Sequence, residues 1–358
     1  GKHSNDELQQ ILAGKNVGTS LKIGEDAFIL SGRTTPSDLE LELQLMCASL
    51  TDPGYREEAL WQFRKALPTM AQQLKHSPAG PQTEIESWMH GGDPRYTLPP
   101  VEKLGTYTIA DAKKWLTPEL EKGFVELSIV GDFDADTLIP ALLNTFGALP
   151  KRATAPAALD AARKVKFPNA PASKTFTYDS KIPQGIASVY WKTDGMRGNT
   201  TEVRRLNILA DIYGDRLRKE IREKLGASYS PDAGFSGSDA LSGFGYLVGQ
   251  SVGKPEDIER LGTVMRELAD GLAKEGATED EFDRAKKPIL SNLEKSLRDN
   301  SFWLGTVMSQ CQEDPKRLDL SRNRDSDYKS ITLKEVNALA KKHFGSANAI
   351  HVAIKPAS

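Results

Sequence analysis

Apolar residues recur along this chain in two rhythms. Residues 17–35, VGTSLKIGEDAFILSGRTT, alternate small or polar with apolar positions on both sides of Gly24-Glu25-Asp26, the pattern of a hairpin. From Ser37 the spacing lengthens. Leu39, Leu43, Met46 and Leu50 fall three and four residues apart, which predicts a helix over 37–50 that ends at Asp52-Pro53-Gly54. A second helix is predicted over 56–75 with Leu60, Phe63, Leu67, Met70 and Leu74 on one face, bent at Pro68 where a backbone N–H is missing. Thr108 and Asp111 have cap spacing ahead of a short helix through Trp115. FVELSIVGDFD (124–134) then reads as a buried strand leading to a turn, and Asp134 caps the helix that follows.

Between 151 and 173 the periodicity disappears into Ala, Pro and Lys/Arg, the composition of a connection. This divides the chain into domains at 1–160 and 161–358. Beyond it KTFTYDS and QGIASVYWKTD read as strands, and a long helix is predicted from Thr200 to Leu225. Its apolar stripe is Val203, Leu206, Ala210, Tyr213, Leu217, Ile221 and Leu225. ASYSPDAGFSG and SGFGYLVGQSV form a candidate strand pair, followed by a helix over 256–274 and another opened by Thr278 and Glu281 at capping-box spacing. FWLGTVMSQCQ and TLKEVNALAKKHFG are further helices, and AIHVAIKP is a final strand. The two halves run in the same order, and both close with a helix leading into an apolar strand. The pattern predicts a duplicated α+β unit.

At 358 residues, two such domains can each bury a core. Lys plus Arg number 47 against 49 Asp plus Glu, with no basic block, so nucleic acid is not expected as a partner. Cys47 and Cys311 are the only cysteines, too few for a disulfide framework. No apolar run approaches the ~20 residues of a membrane span, and compartment stays open between bacterial cytoplasm, an organelle and the bacterial periplasm, the last being favoured.

Most catalytic patterns are missing. His3, His76, His90, His343 and His351 are far apart in sequence, and neither HExxH nor HxxEH occurs. There is no GxSxG elbow. GFGYLVG (243–249) lacks the order of a phosphate loop and reads as a sheet segment with close backbone packing, and GDFDAD (131–136) lacks EF-hand spacing.

Three segments together resemble the pitrilysin/insulinase-type zinc metallopeptidases: VELSIVGDFDADTLIPALLNTFGALPKR, LRKEIREKLGASYSP and LAKEGATEDEFDRAKKPI, in family order and spacing over residues 15–358. The resemblance implies an α+β fold of two similar domains, each a mainly antiparallel sheet packed against helices, of the metallopeptidase LuxS-like/MPP-like type. It implies a four-domain enzyme whose halves close like a clamshell around a peptide substrate, with zinc bound by an HxxEH-bearing N-terminal half. With no HxxEH of its own, the chain reads as the C-terminal half of a longer protease: an N-terminally incomplete third domain (1–160) and a fourth domain (161–358), binding no metal and inactive alone. Its partner would be the N-terminal catalytic half, on the same polypeptide or as a separate subunit. The family's substrate-contacting Arg and Tyr, seven positions apart, correspond here to Arg222 and Tyr229. The alternative within the same resemblance is a non-catalytic structural subunit of the processing-peptidase or respiratory-core kind.

Overall fold

The computed structural model describes residues 1–224 and 230–357. The first stretch of the chain forms α1 (Asn5–Ile11), β1 (Thr19–Ile23), β2 (Phe28–Gly32), α2 (Leu39–Thr51), α3 (Glu57–His76), α4 (Ala79–Met89), α5 (Val101–Leu104), α6 (Ile109–Lys122) and α7 (Ala135–Asn144). After the predicted connection come β3 (Ala172–Tyr178), β4 (Gly185–Thr193), α8 (Thr200–Leu217), β5 (Asp232–Gly237), β6 (Gly245–Gly253), α9 (Ile258–Glu275) and α10 (Glu279–Ser296). The chain ends with α11 (Asn300–Phe302), α12 (Lys316–Arg322), α13 (Arg324–Ser330), α14 (Leu333–His343) and β7 (Ala349–Pro356). The fold is α+β. Two compact units share these elements: Gly1–Leu67, Pro100–Ala158 and Asn300–Arg317 make one, and Pro68–Pro99, Leu159–Asp299 and Leu318–Ser358 the other.

In the first unit the predicted hairpin forms, with Leu21 opposite Leu30 and Ile23 opposite Phe28. The buried Glu42 of α2 accepts from Gly18 N and Thr19 Oγ1, both at 2.9 Å, and so straps the hairpin's start to the helix. α2 buries Leu43, Met46 and Leu50, as the spacing predicts. α6 opens on a capping box between Thr108 and Asp111 and continues past Trp115 to Lys122. Two expectations change. Of the apolar face predicted for α3, only Leu67 is buried. Residues 124–130, predicted as a buried strand, are half-buried at every position and have no ladder partner among the described residues.

The second unit is built on a five-stranded sheet in the order β3-β7-β4-β6-β5, antiparallel except where β3 runs parallel to β7. One face carries α8, α9, α10 and α14. There the rings of Trp191, Tyr213 and Phe344 meet with centroids 5.0–5.6 Å apart. α8 buries the predicted Val203, Leu206, Ala210, Tyr213 and Leu217, and also Ile208, Leu209 and Ile212. One stripe was expected; more of the helix is covered because it contacts β5 and β6 as well as α9, α10 and α14. The opposite face is covered by α4, an element the apolar spacing did not predict, whose Ile85 and Met89 pack among Phe176, Tyr190, Ile350, Val352 and Ile354.

Of the glycines of 243–249, Gly245 and Gly249 serve close packing, whereas Gly243 adopts a positive φ with open space around it. A Cβ on Gly249 would lie 2.8 Å from the ring of Tyr213, a fully buried side chain whose hydroxyl donates to Met265 O at 2.9 Å and so cannot swing aside. Gly249→Ala is expected to destabilise the protein by about 1–3 kcal/mol through overpacking. Urea denaturation checks this, and an unchanged midpoint would contradict it.

Candidate functional site at the end of helix α8

α8 passes into a π-helical turn over Arg218–Lys224. Such turns are uncommon and occur mostly where a helix serves a site, because the wider turn re-aims side chains without breaking the backbone ladder. Ile221 in this turn has no exposed surface, and Arg222, the next residue, is exposed. Tyr229, its predicted companion, and Leu225, the last position of the predicted stripe, lie outside the described residues.

The base on which Arg222 stands is fixed by more than apolar packing. Arg216 donates to both oxygens of Glu281, from Nε at 2.8 Å and Nη2 at 2.9 Å, and from Nη2 to Gly276 O at 3.0 Å. A two-pronged guanidinium–carboxylate pair fixes direction as well as distance. Glu281 also accepts from Thr278 N at 2.8 Å as part of the capping box of α10. One carboxylate thus ties the end of α8 to the start of α10, joining the residue just before LRKEIREKLGASYSP to GATEDEF. The Arg216 guanidinium, ahead of the Thr278 contacts, holds the Glu281 carboxyl down at about 2.

On another side of the helix, Arg218 pairs with Asp215 and lies 3.9 Å from Asp232, the first residue of β5. Burial pushes the nearby Asp211 carboxyl up, Asp215 and Asp232 add to the effect, and Arg218 opposes it. Sequence reasoning found Glu281 only as a cap. Its partner Arg216 lies 65 positions away, a distance that no spacing rule connects.

The donors needed for zinc do not assemble in the described residues: no group of three or more His, Cys, Asp or Glu is placed to hold a metal. The histidines have other neighbours. His90 stacks at 3.7 Å on Tyr96 and 4.1 Å on Phe244. His343 Nδ1 lies 3.0 Å from Lys192 O, and burial holds both His343 and His351 below the usual imidazole range. The carboxylates of GDFDAD are not a calcium loop; Asp134 accepts from Asp136 N at 3.0 Å as the cap of α7. Among the described residues no helix is long and apolar enough to cross a membrane.

A five-stranded mixed sheet with helices on both faces, together with a hairpin-and-helix unit, defines an α+β protein. Residues 112–289 match the family described as Peptidase M16 inactive domain. The stromal processing peptidase of Pisum sativum chloroplasts is 22% identical over 386 residues, covering 94% of this chain and 30% of that protein, so the chain spans under a third of this relative. Among solved structures, the periplasmic protease PqqL of Escherichia coli superposes with a TM-score of 0.82 at 19% identity, covering 100% of this chain and 39% of PqqL. A peptidase M16 inactive domain from Pseudomonas fluorescens does so with a TM-score of 0.79 at 18% identity, covering 100% of this chain and 85% of that one. The chain belongs to the pitrilysin/insulinase-type metallopeptidases, family M16, and is of the inactive, C-terminal type.

The low value at Glu281 carries a pH dependence. A carboxyl whose value falls on folding stabilises the protein above its unfolded value of about 4.5, and that contribution disappears as pH drops towards about 2. Glu281→Gln is therefore expected to be less stable than the parent by about 1–3 kcal/mol at pH 7, with the difference vanishing near pH 2. Urea midpoints across this range test it; a pH-independent difference would contradict it.

Proposed function

We propose that the chain is the non-metal-binding C-terminal half of a zinc-dependent metalloendopeptidase, closing with an N-terminal catalytic half around a chamber that holds a peptide, with Arg222 and Tyr229 contacting the peptide backbone. On this reading residues 1–160 are a third domain, N-terminally incomplete, and 161–358 the fourth. The observation that carries it is the placement of Arg222: an exposed cation one residue beyond the fully buried Ile221, on a helix end braced by the Arg216–Glu281 pair. The backbone beneath Arg222 is fixed by folding, so its guanidinium can donate to a peptide carbonyl without further ordering of the helix end. A phenol hydroxyl seven residues further on would supply a second donor. When bound to the catalytic half, the metal supplies the activated water; the residues of this chain bind and orient. The name of the pea relative, a processing peptidase, supports a polypeptide substrate.

In the complete enzyme, Arg222→Ala is expected to lower kcat/KM for peptide cleavage about 10- to 100-fold, the loss of one charge-assisted hydrogen bond. Tyr229→Phe is expected to lower it less, and zinc content should match wild type in both variants. Turnover at the wild-type rate in both would remove the assigned role. Mixing residues 1–358 with a separately made N-terminal half should restore cleavage that neither shows alone.

A further inference from the structure

The sheet of the second unit ends at β3, whose backbone groups can be assigned one by one to its two sides. Among the described residues β3 pairs only with β7. Successive residues of a strand point their N–H and C=O to opposite sides, in step with the alternation of their side chains. Tyr178 O accepts from Ala357 N, the residue just past β7, at 2.7 Å, so Ala172, Lys174, Phe176 and Tyr178 turn their backbone groups towards β7. Ser173, Thr175 and Thr177 therefore present theirs to the open side. The next residue of that set, Asp179, is already engaged there: its N donates to Lys75 O at 3.0 Å, and its O lies 2.8 Å from His76 Nδ1. Among the described residues nothing occupies the edge groups of Ser173, Thr175 and Thr177.

A cleft of about 490 Å³ lies beside this edge, within the second unit, with Glu84, Ser87 and Trp88 of α4, Leu98, and Lys174 and Phe176 of β3 in its walls. The rings of Trp88 and Phe176 meet edge to face at 6.4 Å. The Lys174 ammonium lies over both, 5.2 Å and 4.7 Å from their centroids. Two ring faces order an ammonium without neutralising it, and Lys174 has no carboxylate partner among the described residues. A lysine on a sheet edge repels a second copy of the same edge and admits an acidic strand. Free backbone groups, an apolar wall and an ordered, unpaired cation thus converge at one place.

We propose that this edge and cleft bind an extended acidic segment of the polypeptide substrate, which joins the sheet as a strand beside β3. Its backbone takes the open groups of Ser173, Thr175 and Thr177. Two of its side chains, two positions apart, face the cleft: an acidic one beside Lys174 and an apolar one against Phe176 and Trp88. Substrate is the occupant because the same sheet leads to the turn that carries Arg222. β3 and β5 are its opposite edges, four strand spacings or about 19 Å apart, and Arg218 of that turn lies 3.9 Å from Asp232 of β5. An extended chain of about six residues covers such a distance. The assignment to substrate rests on the function proposed above, whereas binding at β3 does not depend on cleavage.

The probe is a capped heptapeptide of β-branched residues carrying Glu and Phe two positions apart, added to residues 1–358. At saturation the amides of Ser173, Thr175 and Thr177 should exchange with deuterium at least about 10-fold more slowly, since a new ladder protects them. The same peptide with Lys in place of Glu should bind about 3- to 10-fold more weakly, and Lys174→Glu should reverse that order, which a loss of fold cannot do. Unprotected β3 amides, or equal binding of the two peptides, would overturn the site. In the complete enzyme, a polypeptide bearing the Glu strand should be cut with a kcat/KM about 3- to 10-fold above one bearing the Lys strand, again reversed by Lys174→Glu. Equal values for the two would overturn the assignment to substrate. Wild-type turnover by Arg222→Ala would remove the role of that arginine and leave the protection at β3 standing.

Discussion

The second unit depends on where its last strand goes. β7 enters the interior of the sheet, parallel to β3 on one side and antiparallel to β4 on the other. A strand with neighbours on both sides and helices above and below has no solvent face, and Ala349 to Ile354 are all buried. Even His351 within this run has its ring against Gly262 of α9, where a Cβ would come within 2.3 Å, and its Nδ1 3.4 Å from Ser173 Oγ. Without β7, β3 has no partner and β4 loses one of two. The sheet is therefore closed by the final residues, and the two cores on its faces form around them.

From that sheet the position of Arg222 follows by short steps. β4 and β6 supply the surface on which α8 lies, with Trp191 of β4 meeting Tyr213 of α8. Tyr213 is fixed through its hydroxyl to α9, Arg216 through its guanidinium to the start of α10, and Leu217 and Ile221 by complete burial. Tyr213, Leu217 and Ile221 lie on one stripe, with Arg216 beside it, so the end of the helix is held along that face. An exposed arginine immediately after such a segment inherits its precision. Long cationic side chains elsewhere on a surface lose affinity to conformational entropy when they bind; here the backbone part of that loss has already been met in folding.

What was legible in the sequence is what local chemistry decides. The β1–β2 hairpin, the α2 periodicity, the capping boxes at Thr108 and Thr278, and the Asp134 cap all depend on residues within a few positions of one another, and all are present. α8 was legible as a helix because its stripe repeats for many turns. Its passage into a π-helical turn was not, since Arg218–Lys224 carries no distinguishing composition. α4 escaped because its buried positions, Pro81, Ile85 and Met89, cover a sheet face formed by distant strands. The family was readable from three short segments in order. The brace beneath Arg222 was not, because Arg216 and Glu281 meet only after α8 and α10 have packed.

Residues 124–130 show the limit of pattern most clearly. VELSIV is as good a strand sequence as AIHVAI: both are apolar, rich in β-branched residues, and follow a capped helix. One becomes an interior strand of a sheet and the other forms no ladder among the described residues. β-propensity measures fit to a pleated, half-buried surface, so the same sequence realises it only where neighbouring strands provide that surface. The consequence concerns which unit would carry the proposed contact to substrate. Arg222 extends from the unit whose sheet closes within residues 1–358, so its placement is set by contacts this chain makes with itself. The unit with the hairpin carries none of the residues assigned to substrate.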